Sequence, residues 1–117
     1  MEKREFERLV LRAIEELPEK FRKKLENIEI IVEDEPQATT LSKCKISPLA
    51  TLLGLYQGVP LRKRGPWYGN ILPDKVTIYQ KNIESLCRSR EEIEKRVCEV
   101  VQHEIGHYFG LKEEELK

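Results

Sequence analysis

The sequence predicts an α+β domain, a small mixed sheet packed against helices. Three observations carry that expectation. An apolar helical stripe opens the chain, short β-branched segments fill its middle, and a long helix with clear start and stop signals closes it. The 117 residues suit one domain over 1–117 with a single modest core.

Each element follows from its residues. Phe6, Leu9, Val10, Ala13, Ile14 and Leu17 recur at spacings of three and four, which places them on one face of a first helix. Pro18 interrupts it, because proline has no amide hydrogen to donate. A second, short helix is expected from Glu19 to about Glu26, burying Phe21 and Leu25. Ile28 to Val32 is apolar and β-branched, and predicts a strand buried mostly on both faces. Asp34 to Pro36 ends it. Ala38 to Ser47 has a weak pattern and reads as loop with room for helical turns.

Leu52 to Val59 predicts a strand whose glycines mark bulges or close backbone contacts. Arg62 to Gly69, basic and then rich in glycine, proline and aromatics, predicts a projecting loop. Val76 to Gln80 alternates and predicts a further strand, and it is the expected open edge of the sheet. A turn or short helix follows at Ile83 to Leu86. In the last helix, Ser89 and Glu92 form a capping box. Ile93, Val97, Val100, Val101, Ile105 and Phe109 form its apolar face, and Gly110 suits the positive φ just past its end.

That helix carries the only two histidines of the chain, in His103-Glu104-Ile105-Gly106-His107. Residues four apart on a helix project from nearly the same face. Two imidazoles so placed can hold a zinc ion, and Glu104, on the flank of that face, can reach a water there. A catalytic zinc site needs a third protein ligand. Gly110 stands where the longer pattern H-E-x-x-H-x-x-G-x-x-H has its glycine, and Glu113 stands at the third histidine. A carboxylate can bind zinc, so Glu113 is the leading third ligand, with Glu114 behind it. An upstream acid or a water is the other option. Glu99, one turn before His103, is a candidate to orient that ring; a solvated helix glutamate is the plainer reading.

Other residues carry less chemistry. Tyr56, Tyr68, Tyr79 and Tyr108 each bear a phenol that could face a developing oxyanion, although packing accounts for any one of them. Arg62, Lys63 and Arg64 read as a solvated basic loop or a carboxylate contact, and Trp67 as a pocket rim or a packing residue.

Charge is balanced, with 21 basic and 21 acidic side chains, which argues against nucleic acid or a membrane surface as partner. No apolar run is long enough to span a bilayer, and the opening MEKREFERL has no signal-peptide core. Cys44, Cys87 and Cys98 are odd in number and form no C-x-x-C pair. The expectation is a cytoplasmic protein with reduced cysteines.

LLGLYQGVPLRKRG, ILPDKVTIY and VQHEIGHYFGL, with FERLVLRAIEELPEKF and IEIIVEDEP before them, together resemble the bacterial minimal zincin-like metallopeptidase family. The likeness runs over nearly the whole chain, in the family's order. It implies a compact zincin core with the motif helix beneath a small mixed sheet. It implies His103 and His107 as zinc ligands and Glu104 as general base, and acidic residues after the glycine, as at Glu113, are compatible with it. The expected function is zinc-dependent hydrolysis of a peptide or unfolded polypeptide. The rival readings are a metal-binding interaction domain without turnover and hydrolysis of a non-peptide bond.

Overall fold

A computed structural model describes residues 1–47, 51–58 and 73–110. Among them the elements run α1 (Lys3–Glu15), α2 (Glu19–Arg22), β1 (Ile28–Glu33), α3 (Ala38–Lys43), β2 (Gly54–Gln57), β3 (Asp74–Tyr79), α4 (Gln80–Ser85) and α5 (Arg90–Tyr108). The sheet order is β1-β3-β2, with β1 parallel and β2 antiparallel to β3. The fold is therefore α+β with a mixed sheet. No helix among the described residues is long and apolar enough to cross a membrane.

One sheet face and two helices build the core. The register sets Ile28, Ile30 and Val32 of β1 beside Asp74, Val76 and Ile78 of β3, and Tyr56 and Gly54 of β2 beside Val76 and Ile78. Paired residues share a face, and that face packs on Phe6, Leu9, Val10 and Ala13 of α1 and on Val97, Val100, Val101 and Ile105 of α5. Each large apolar side chain buried there contributes about 1.5–3 kcal/mol.

The helices at the two ends of the chain follow the sequence pattern closely. The Ser89 hydroxyl accepts the Glu92 amide hydrogen at 3.2 Å and caps α5. The Glu92 carboxylate accepts from the Arg88 amide at 2.5 Å, one residue before the cap, so the box closes one step early. Gly110 has φ +83°, as its place after the helix requires.

Four expectations are corrected. α2 ends at Arg22 instead of about Glu26, because the chain tightens into three-residue turns, with the Lys24 amide donating to the Phe21 carbonyl and that of Leu25 to the Arg22 carbonyl. Phe21 and Leu25 are accordingly only half-buried. β1 is an edge strand, not one buried on both faces; Glu29 is exposed and Ile31 only partly covered. β3 is the central strand, so Val76 to Gln80 is not an open edge, and Gln80 already begins α4. β2 is shorter than the expected Leu52 to Val59, and Val59 lies outside the described residues. Ala38–Lys43 forms the helical turns for which the sequence left room, and the turn or short helix expected at Ile83 to Leu86 is met by α4, Gln80–Ser85.

β2 therefore supplies an edge. Among the described residues its outer side pairs with no strand, and its inner face lies on α5.

Candidate metal centre

Nineteen residues of capped helix fix where the motif stands, and the helical spacing does the rest. His103 and His107 lie one turn apart, with ring centroids 4.8 Å from each other and the planes near perpendicular at 79°. The donor atoms of His103, Glu104 and His107 all lie within 4.8 Å of one another. Both histidines are half-buried, whereas Glu104 is only 7% exposed. Two imidazole nitrogens with a carboxylate at their flank are the donor set of a divalent transition metal, zinc above all. Three donors gathered on the open side of a buried helix fit such an ion. Glu113 and Glu114 lie outside the described residues, as do Arg62, Lys63, Arg64, Trp67 and Tyr68.

The sheet closes over this helix at one point. A Cβ on Gly54 would stand 2.7 Å from Val100 Cγ1, 3.1 Å from Glu104 Cγ and 3.3 Å from the Thr77 carbonyl oxygen. Only a residue without a side chain lets β2 lie this close to the general-base candidate. The glycine-marked close contact read from the sequence is this one. Beside it opens a cleft of about 310 Å³, lined by Leu52, Leu53, Gly54, Arg96, Glu99, Val100, His103 and Glu104. Its wall is held by the backbone, since the Leu53 carbonyl accepts from the Tyr79 amide at 3.0 Å and the Leu52 carbonyl from the Asn82 side chain at 2.7 Å.

Three tyrosines considered for an oxyanion role are engaged within the fold. Tyr108 is fully buried, and its hydroxyl donates to the Glu26 carbonyl at 3.0 Å and accepts the Glu26 amide at 3.1 Å. It ties the end of α5 to the chain before β1. Tyr56 donates to Asp74 Oδ2 at 2.6 Å and meets the Tyr108 ring edge-on at 6.2 Å. Tyr79 is buried, and the pKa of its hydroxyl is pushed up to about 12, first by burial, then by the negative Glu33 and by Cys44, with a Thr77 hydrogen bond opposing. Glu99 is exposed and faces Arg96 at 3.8 Å, at the far end of the cleft.

Sequence reasoning missed three parts of this arrangement. Asp74, 2% exposed, lies against Tyr56 and against Gly58, where a Cβ would overlap the Asp74 carboxyl group. Arg96 lines the cleft, and so do Leu52 and Leu53. Pairing of β2 with β3, well separated in sequence, brings Asp74 to Tyr56, and no local pattern announces that. Arg96 shares a face with Glu99 and His103 at helical spacing, which was a readable signal.

Comparison with known proteins gives a concordant picture. The profile of the family described as Zincin-like metallopeptidase matches residues 25–117. A solved structure, a conserved hypothetical protein from Thermo thermophilus, is similar with a TM-score of 0.61 and 22% identity, over 92% of each chain. That likeness speaks for the fold. No curated protein matches this sequence.

Proposed function

The chain belongs to the zincin-like metallopeptidase family, and from that premise we propose that it is a zinc-dependent peptidase acting on peptides or unfolded polypeptides in the cytoplasm. The observation that carries the reading is the His103, Glu104 and His107 donor group opening into the cleft beside β2. The three free cysteines support the compartment.

His103 and His107 would hold the metal through neutral imidazole nitrogens, with Glu113 as third ligand. Bound zinc supplies a Lewis acid and makes an attacking water more acidic at neutral pH. The residues of the chain do the rest. A Glu104 carboxylate oxygen takes the proton that the water loses as its oxygen attacks the peptide carbonyl, and the same oxygen delivers it to the departing amine nitrogen. Glu104 is held by packing against Gly54, so its position is set before substrate arrives. The outer edge of β2 offers backbone groups to an extended substrate, which would add antiparallel to it, and Leu52, Leu53 and Val100 shield the adjoining side chain from water.

Glu104→Gln tests the role. The variant should bind zinc stoichiometrically by metal analysis and lose peptide hydrolysis by about 10²–10⁴-fold or more. Hydrolysis at the wild-type rate by purified variant, abolished by a chelator, would remove Glu104 from the chemistry. Zinc at four protein ligands with no turnover in either protein would favour the interaction-domain reading instead.

A further inference from the structure

Arg96 and Glu99 border two hollows at once. One is the cleft beside His103 and Glu104. The other, of about 260 Å³, is polar and lined by Leu86, Cys87, Glu92, Lys95, Arg96 and Glu99. The pair thus borders both a cleft of mixed lining that reaches the candidate metal centre and a more polar one, both along α5.

The second hollow is lined by two cations and two carboxylates, and the four differ in how they are engaged. The Glu92 carboxylate is taken up by the Arg88 amide at the start of α5, where the helix dipole already favours it. Glu99 faces Arg96 at 3.8 Å, too long for a hydrogen-bonded pair, and both side chains are about half exposed. Lys95 is exposed and forms none of the ion pairs between described residues. Lys95 and Arg96 are thus the less committed cations of a hollow in which Glu92 and Glu99 match them in number. An incoming carboxylate with better geometry would take Arg96 from Glu99 and gain Lys95 as well.

Chain direction says which end of a substrate arrives there. β2 runs alongside α5 in the same sense. Leu52 and Leu53 lie by Arg96 and Glu99, Gly54 lies by Val100 and Glu104, and Tyr56 lies by Tyr108. A peptide added antiparallel to β2 therefore leads, in its C-terminal direction, from Glu104 toward Arg96. The helix rises roughly 10 Å from Arg96 to His103, which an extended peptide covers in about three residues.

We propose that the polar hollow is a carboxylate-binding subsite in which Lys95 and Arg96 hold an acidic group two or three residues beyond the scissile bond. The group is either the C-terminal carboxylate of a short peptide or an aspartate or glutamate side chain. This rests on the peptidase reading above and names the substrate class for it.

The test uses zinc-loaded protein and matched peptides with one apolar residue after the scissile bond. Four arms differ beyond it: a free C-terminal acid, the C-terminal amide, a longer amide with glutamate at that position, and the same with lysine. Cleavage is measured with the wild type, and binding with Glu104→Gln by calorimetry. The acid arm, the glutamate arm or both should exceed the amide and lysine arms by about fivefold, the size of a partly exposed ion pair, and the advantage should shrink at high salt. The arm that gains identifies the source of the carboxylate. Lys95→Ala/Arg96→Ala should erase the advantage, and Glu99→Gln should enlarge it by removing the internal competitor.

Equal arms, or an advantage that survives in the double variant, overturn the subsite while leaving the peptidase intact. Graded binding to Glu104→Gln without cleavage by the wild type overturns the peptidase and keeps the subsite. No binding and no cleavage overturns both.

Discussion

At Gly54 one missing side chain decides how close the sheet comes to the helix of the candidate metal centre. Gly54→Ala drives a Cβ to within 2.7 Å of Val100 Cγ1, so the Val100 side chain must turn or β2 and α5 must part. The expected cost is about 1–3 kcal/mol in urea unfolding, with a fall in zinc affinity as Glu104 and its neighbours shift; unchanged stability and affinity would mean the helix gives freely. Tyr79 offers a pH-dependent counterpart. Its hydroxyl titrates near 10 when exposed and at about 12 in the fold. Between those values the unfolded chain binds fewer protons, so the Tyr79 contribution to stability is constant below about pH 10 and falls as pH rises toward 12. Tyr79→Phe should flatten that part of the curve relative to the wild type, read as the difference in urea midpoints at about pH 9 and about pH 11. His103, Glu104 and His107 were legible in the sequence because helical spacing alone brings them together. Asp74 and Tyr56 were not, since only the β2–β3 register makes them neighbours.

The element most fully legible was α5, from its Ser89 cap to Gly110, because each signal in it is local. Ser89→Ala should cost about 1 kcal/mol and fray the first turn, visible as faster amide exchange over residues 90–93; the Glu92 to Arg88 contact is the one that could soften the loss. The strands were legible as segments and not as bounds. β3 passes into α4 between Tyr79 and Gln80 with no glycine or proline to mark the change, and the apolar run of β1 looks the same whether one face or two is covered. Burial on one face follows from strand order, which a segment does not carry.

For the whole molecule, the layered core was readable and the sheet order was not. β3 is the last of the described strands in sequence and lies between the other two, an arrangement fixed by non-local pairing. The candidate metal donors sit on α5, which packs against α1, β2 and β3, so an ion bound there would act on much of the fold. Zinc at about one hundred times its dissociation constant should stabilise the protein by about 2.7 kcal/mol, seen as a rise in Tm that a chelator reverses and that His107→Ala lacks. A wild-type Tm indifferent to zinc would detach the ion from the folded state.

The contact between Gly58 and Asp74 has a consequence for how the chain can be edited. The end of β2 and the start of β3 touch, close enough that a side chain on Gly58 would overlap the Asp74 carboxyl group. Gly58 and Asp74, on either side of the sequence between β2 and β3, thus meet at a single doorway in the domain. Closing such a segment costs only about 0.6 kcal/mol more for each doubling of its length. An insertion between Gly58 and Asp74 should therefore leave the β2–β3 register, and the helix of the candidate metal centre behind it, in place.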